Sequence, residues 1–360
     1  MTFRRHRGGA LLGGALLLGF ALGCVGGAPA PAPLAEVDPP GTVFQSERAW
    51  ADLEALASAG PRPPGSSGAD AARAYLVGAL GGVGLEAEER TTLLEVGDGE
   101  TLELTHVSVV IPGVSPDRFV LLGTYDSNRL EGADDLGVNL GASGSALMLE
   151  LARALVAQPP AYTVQLLFVE GDGRLGVGEG DTRDRRGAGS ALLAAQMKEQ
   201  GELVDVRLLV AFKGVCDADL GIARDLLSHR HYREEFWRVA RDLGYSEVFP
   251  RDAHFESVEA GHAAFGAEGV RSVVAVADTA YGGSESPGIY AADGRDVIDH
   301  CSARSMRVVG NVTLAAITRI GERLDRIDRF ARRPLAEPVP EVDVGEPEGQ
   351  PAASEGGASE

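Results

Sequence analysis

Between residues 44 and 324, stretches with apolar residues three or four apart alternate with short runs of aliphatic and β-branched residues. The first pattern marks a helix with one buried face, the second a strand. Trp50, Leu53 and Leu56 predict a helix that Ser46 caps and Gly60-Pro61 ends. Ala72, Tyr75, Leu76 and Leu80 predict another, over 69–80. Strand-like runs follow at 86–95, 101–111 and 118–124, with Pro112-Gly113 turning between the last two. The segment ASGSALMLELARALVA at 142–157 predicts a strong amphipathic helix, and TVQLLFV at 163–169 a strand buried on both faces. A helix near 189–199, strand 206–212, helix near 231–243, strand 271–276 and a long helix 302–325 complete the pattern. The alternation predicts a three-layer α/β/α sandwich around a mixed, mostly parallel sheet. The sequence contains no internal repeat, Gly-rich phosphate loop, paired CxxC or GxSxG elbow.

The two ends read differently. Arg4, Arg5 and Arg7 precede an apolar Gly/Ala/Leu run that stops at Ala21-Leu22-Gly23-Cys24. This is the form of a signal sequence ending in a bacterial lipobox, so residues 1–24 are expected to be the signal and Cys24 the lipidated residue. An uncleaved anchor is the alternative, because no charge interrupts 8–30. Both readings place the body outside the cytoplasm, as a periplasmic or cell-surface protein of the envelope held to a membrane through its N-terminus. Residues 25–43 form a Pro/Ala-rich tether. The body spans 44–328, and 329–360 is an acidic tail expected to be disordered, with seven acids and no base after residue 335.

The net charge of −20 becomes −23 without the three signal arginines, and Lys198 and Lys213 are the only lysines. Nucleic acid is therefore excluded as a partner, since its binding needs clustered cations. With Cys24 assigned to lipid, Cys216 and Cys301 remain, either paired in an oxidising compartment or present as two buried thiols.

Several motifs resemble metallopeptidase family twenty-eight, which contains bacterial zinc aminopeptidases and glutaminyl cyclases. They begin with GPRPPGS at 60–66 and ARAYL at 72–76. GTYDS at 123–127, followed after a loop by GVNLGASGSALMLELARAL at 137–155, is the sharpest; relatives read roughly GxHYDS and GANDSASGVAxLLELARAL. FVEGDG at 168–173, VAFKG at 210–214, HAAFGAEGV at 262–270 and IYAADGRD at 289–296 carry the likeness across the body.

The resemblance implies zinc held by His, a bridging Asp, Glu, Asp and a final His, with a second Glu as general base on a zinc-bound water. Carried over residue by residue, those ligand positions hold Thr124, Leu140, Gly173, Ala211 and Ala291. Asp172 stands at the base position, and Ala260-Gly261 replaces an acidic pair before His262. An alternative register makes Asp135 of GADD the bridging ligand. However, Asp126 to Leu140 is fourteen positions, the separation relatives show, and continues without a gap into LELARAL.

No zinc or other cofactor is therefore expected. Tyr125, Asp126, Asp172, His262 and Tyr290 are the candidate pocket residues. Asp172 can accept a hydrogen bond from a ligand amine, Asp126 can tie down loop backbone, and His262 reads as a framework histidine. Ser143 reads as a helix cap and His229 and His231 as solvated residues at a helix start. The resulting expectation is a pseudoenzyme lipoprotein that binds peptide N-termini or a partner. The competing expectation is an active metallohydrolase, an aminopeptidase or a glutaminyl-peptide cyclotransferase, with displaced oxygen ligands among Asp126, Asp134, Asp135 and Asp172. Mass spectrometry of the purified chain should find an acylated Cys24 as first residue; an intact Met1 would refute the lipobox reading.

Overall fold

The structure, a computed structural model, describes residues 43–97, 100–129, 135–175, 186–282, 288–292 and 294–331. Cys24, the tether before Val43, Asp134 and the tail beyond Ala331 lie outside the described residues.

Two helices, α1 (Ser46–Ser58) and α2 (Ser67–Gly81), precede the strands β1 (Glu88–Gly97), β2 (Glu100–Ile111) and β3 (Ser115–Thr124). A single π turn, Val138–Ala142, runs directly into α3 (Ser143–Ala157), which leads to β4 (Tyr162–Val169). Then come α4 (Ala188–Glu199), β5 (Val206–Lys213), a short β6 (Arg224–Asp225), α5 (Arg230–Asp242), a short β7 (Phe255–Glu256) and α6 (His262–Ala267). The strand β8 (Val273–Ala277), the one-turn α7 (Ile289–Ala292), a 3-10 turn (Ile298–His300) and the long α8 (Ala303–Ala331) end the body.

The main sheet has the order β1-β2-β4-β3-β5-β8. β1–β2 and β2–β4 are antiparallel, whereas β3–β4, β3–β5 and β5–β8 are parallel. Alternation along the central strands divides the core. Val120 and Leu122 of β3, Val169 of β4, and Leu209 and Ala211 of β5 pack with Leu193 and Met197 of α4 and Phe265 of α6. The opposite layer holds α1, α3 and α8. α3 is buried over nearly its whole length, and its one buried acid, Glu150, accepts from Arg48 (2.5 Å), Arg153 (3.2 Å) and the Gln45 amide (3.0 Å). Charge inside an apolar layer is tolerated because both carboxylate oxygens find donors.

Two cap expectations are corrected. Gln45, extended and with its carbonyl receiving the Arg48 and Ala49 amides, is the N-cap of α1, and Ser46 is already helical. Ser143 is the first residue of α3 but does not cap it, because the π turn continues the helical backbone before it. Its hydroxyl donates to the Asn139 carbonyl (2.5 Å) and accepts from the Val215 amide (3.0 Å), fixing α3 to the exit of β5. His229 is the N-cap of α5 and half-buried against Tyr232, while His231 is exposed.

Cys216, just past β5, and Cys301, just before α8, form a disulfide that closes a loop of 85 residues. Replacing both by Ser should lower unfolding stability by about 4 kcal/mol, close to the chain-entropy scale for such a loop. Denaturant titration measures it, and two alkylatable thiols in the unreduced native protein would refute the bond.

Candidate functional site: a cleft at the carboxyl ends of the parallel strands

β3 leads into α3 on one face of the sheet and β4 into α4 on the other. The loops leaving these neighbouring strands therefore diverge, and a crevice at such a switch point is where open α/β sheets bind ligands. A cleft of about 700 Å³ lies there, within the range of small-molecule sites. Thr124, Asp126, Asp135, Leu140, Asp172 and Lys213 are among its walls.

Asp126 is almost completely buried. One oxygen takes the Thr124 hydroxyl and the other the amides of Gly171 (3.1 Å) and Gly173 (3.4 Å), so the carboxylate straps the end of β3 to the loop after β4. Burial, with the nearby charges of Asp172 and Glu170, pushes its pKa up to about 7 against the bonds that favour its ionised form. Asp172 accepts both the amide (2.7 Å) and the hydroxyl (2.5 Å) of Ser190 in the first turn of α4, where a helix favours negative charge. Burial raises its pKa too, while Ser190 and Lys213 oppose the rise. Asp135 is buried and receives the amides of Asn128 (3.0 Å) and Gly137 (3.3 Å).

Beneath the cleft sits Arg62, whose guanidinium is wholly buried. It donates to the carbonyls of Gly60 (2.9 Å), Leu56 (3.2 Å), Tyr125 (2.9 Å) and Gly137 (2.9 Å). Burial disfavours its charge, and the charges of Asp126, Asp296 and Asp135 compensate. Asp296 receives the amides of Asn139 (2.6 Å) and Leu140 (2.9 Å) and the Tyr281 hydroxyl (3.0 Å), pinning the π turn. Burial pushes its pKa up to about 6, against the two amide bonds.

Of the five expected pocket residues, the structure brings Asp126 and Asp172 to the cleft. Tyr125 points into the core and donates to the Thr105 carbonyl at 2.5 Å. His262 is buried behind the wall, with Nε2 2.9 Å from Asp225. Burial alone would raise Asp225, but the bonds from His262, Val258 and Ser228 outweigh it and hold its pKa at about 2. Tyr290 stacks on His300, with ring centroids 4.1 Å apart, and is not among the residues lining the cleft. Sequence reasoning missed Lys213, the last residue of β5, which lies on the same face as Ala211 but one step nearer the rim. Its signal was there: a lone lysine closing an apolar strand in a chain with one other lysine.

Among the described residues, the implied ligand positions do not offer zinc a set of donors. Thr124 offers a hydroxyl bonded to Asp126 and 3.0 Å from the Val169 carbonyl. Leu140 presents alkyl to the cleft, Ala211 is sealed in the apolar cluster, and the side chain of Ala291 lies outside the described residues. A Cβ added at Gly173 would sit 3.3 Å from Asp126 Oδ2 and 3.2 Å from the Ser127 carbonyl. One at Gly261 would stand 2.4 Å from the Ser190 hydroxyl and 2.6 Å from a Leu122 methyl, so the acid that the resemblance places there would require those side chains to shift. Among the described residues, no three His, Cys, Asp or Glu side chains converge as ligands must.

The architecture and the place of its cleft define the class of α/β zinc exopeptidases and glutaminyl cyclases. Residues 106–317 match the family described as Peptidase family M28, and the chain belongs to that family. Its fold is similar to a glutaminyl cyclase from an Acidobacteriales bacterium, at 25% identity and TM-score 0.69, over 82% of this chain and 100% of that one. It is also similar to a Fimbriiglobus ruber glutaminyl cyclase (22%, TM-score 0.68, 80% and 99% covered). A leucine aminopeptidase precursor from Bacteroides thetaiotaomicron is similar in fold as well (19%, TM-score 0.66, 76% and 97% covered). No curated protein sequence matches the chain.

The raised carboxyls set a pH dependence. Asp126 and Asp296, near 7 and 6 when folded, lie above the roughly 3.9 of an unfolded Asp. The folded state thus binds more protons between those values, and stability is lost as pH rises from about 4 to about 7. The melting temperature should be at least about 5 °C higher at pH 5 than at pH 8, with Asp126→Asn flattening the difference. Calorimetry across that range tests this, and a flat or rising profile would contradict it.

Proposed function

We propose that this chain is an exported, lipid-anchored member of its family that holds no zinc and uses the retained cleft to bind peptide amino groups without hydrolysing or cyclising them. The observation that carries the reading is the pairing of a preserved switch-point cleft with failed ligand positions: Leu140, Gly173 and Ala211 supply no donor, and Thr124 only an occupied hydroxyl. Without a metal there is neither an activated water nor an electrophile for the substrate carbonyl, so Asp172 has no nucleophile to generate.

Binding is a different matter. The Asp126 and Asp172 carboxylates retain lone pairs beyond those given to Thr124, Gly171, Gly173 and Ser190. An ammonium arriving beside them would favour their ionised form and reverse part of the effect of burial. Export and the membrane link rest on Arg4, Arg5, Arg7 and Cys24.

The second reading, a metallohydrolase using Asp126, Asp135 and Asp172, is favoured by those three acids lining the same cleft. Against it, each already accepts from the protein's own amides. Elemental analysis of protein purified without chelator and then offered zinc, magnesium or manganese should find well under one metal per chain. Assays with aminoacyl and glutaminyl substrates should show no turnover above the uncatalysed rate. Stoichiometric metal, with turnover that falls in Asp135→Asn or Asp172→Asn, would establish the second reading instead.

A further inference from the structure

We propose that Lys213 makes the cleft selective for ligands that carry a free carboxylate as well as an amino group, so that it takes free dipeptides in preference to the amino terminus of a longer chain. This rests on the amino-group reading above and adds the other end of the ligand.

Lys213 closes β5, whose neighbour in the sheet is β3, with β4 beyond it. The acids follow the other two strands: Asp126 comes after β3 and Asp172 after β4. With strands about 4.8 Å apart, the backbone of Lys213 stands roughly one spacing from the Asp126 side and two from the Asp172 side. An extended dipeptide spans at most about 7 Å, between one and two such spacings. Opposite charges thus line one cleft, on neighbouring strands whose spacing is comparable to the length of a two-residue zwitterion.

The ammonium of Lys213 has donors to spare. Among the described residues its Nζ gives one hydrogen bond, to the Glu259 carbonyl at 2.9 Å, and an ammonium carries three donors. Arg186, also on the wall, pairs with the Glu259 carboxylate at 2.5 Å. Burial lowers the pKa of Lys213, and the charges of Asp172 and Glu259 only partly offset this. A ligand carboxylate would supply the missing compensation. A continuing peptide would instead press a neutral amide against a half-buried cation. The apolar members of the wall, Leu122, Leu140, Phe212 and Val258, suit aliphatic side chains.

The test is calorimetric titration of the full mature chain with leucyl-leucine, leucyl-leucinamide and N-acetyl-leucyl-leucine. The free dipeptide should bind at least about tenfold more tightly than its amide, the lower end for a charge-assisted hydrogen bond. Lys213→Met should bring the two within about twofold, and Lys213→Arg should keep most of the preference. Equal affinity of the wild-type protein for acid and amide would overturn the role of Lys213, whatever the variants do, and leave the amino-group reading standing. If the acetylated dipeptide binds as well as the free one, the amino-group reading fails while the acid-over-amide preference still supports Lys213. No binding by any of the three overturns both.

Discussion

A cation with no exposure to solvent has to be held by the protein on every side, and Arg62 imposes that requirement on everything around the cleft. Its four carbonyl acceptors come from the end of α1, the loop after β3 and the turn before α3. Its own backbone exchanges hydrogen bonds with Ser127, amide to hydroxyl and carbonyl to amide. Breaking such an arrangement leaves an uncompensated buried charge, which costs several kcal/mol. The acids that offset it, Asp126, Asp135 and Asp296, are the same ones that fasten the loops of the cleft. Positioning and charge balance are therefore one problem here, solved by one side chain.

Buried carboxylates normally need a counter-charge or hydrogen-bond donors. In this chain the cleft acids find backbone amides and hydroxyls: Gly171 and Gly173 for Asp126, Ser190 for Asp172, Asn128 and Gly137 for Asp135. Each such bond turns an acid's oxygens toward the protein's own donors, with Asp126 joining the ends of two strands. A metal centre requires the reverse, donors aimed at one shared point.

The layers and strand order belong to what the sequence made legible, because periodicity reports burial and burial follows the sheet. The runs expected at 163–169 and 206–212 became β4 and β5 almost to the residue. What escaped depends on depth and direction. Ala211 and Lys213 share a face of β5, but nothing in a linear pattern says that the cleft floor falls between them. Tyr125 directly precedes Asp126, yet its ring faces inward because successive residues leaving a strand point opposite ways. Ser46 and Ser143 have the right chemistry for a cap, and lost that role to an extended Gln45 and a π turn that no propensity encodes. Arg62 lies within the GPRPPGS motif, and nothing in the motif tells that its guanidinium is buried, since a buried arginine is recognisable only once its acceptors are known.

The Cys216–Cys301 bond makes a covalent ring of the chain between the end of β5 and the start of α8. One wall of the cleft, from Ser257 to Ala264, hangs within that ring. A protease that cut the ring once would not release a fragment: both new ends would stay joined through the sulfurs, and the severed wall would remain tethered beside the sheet. Damage of this kind would be silent on a non-reducing gel and visible only after reduction.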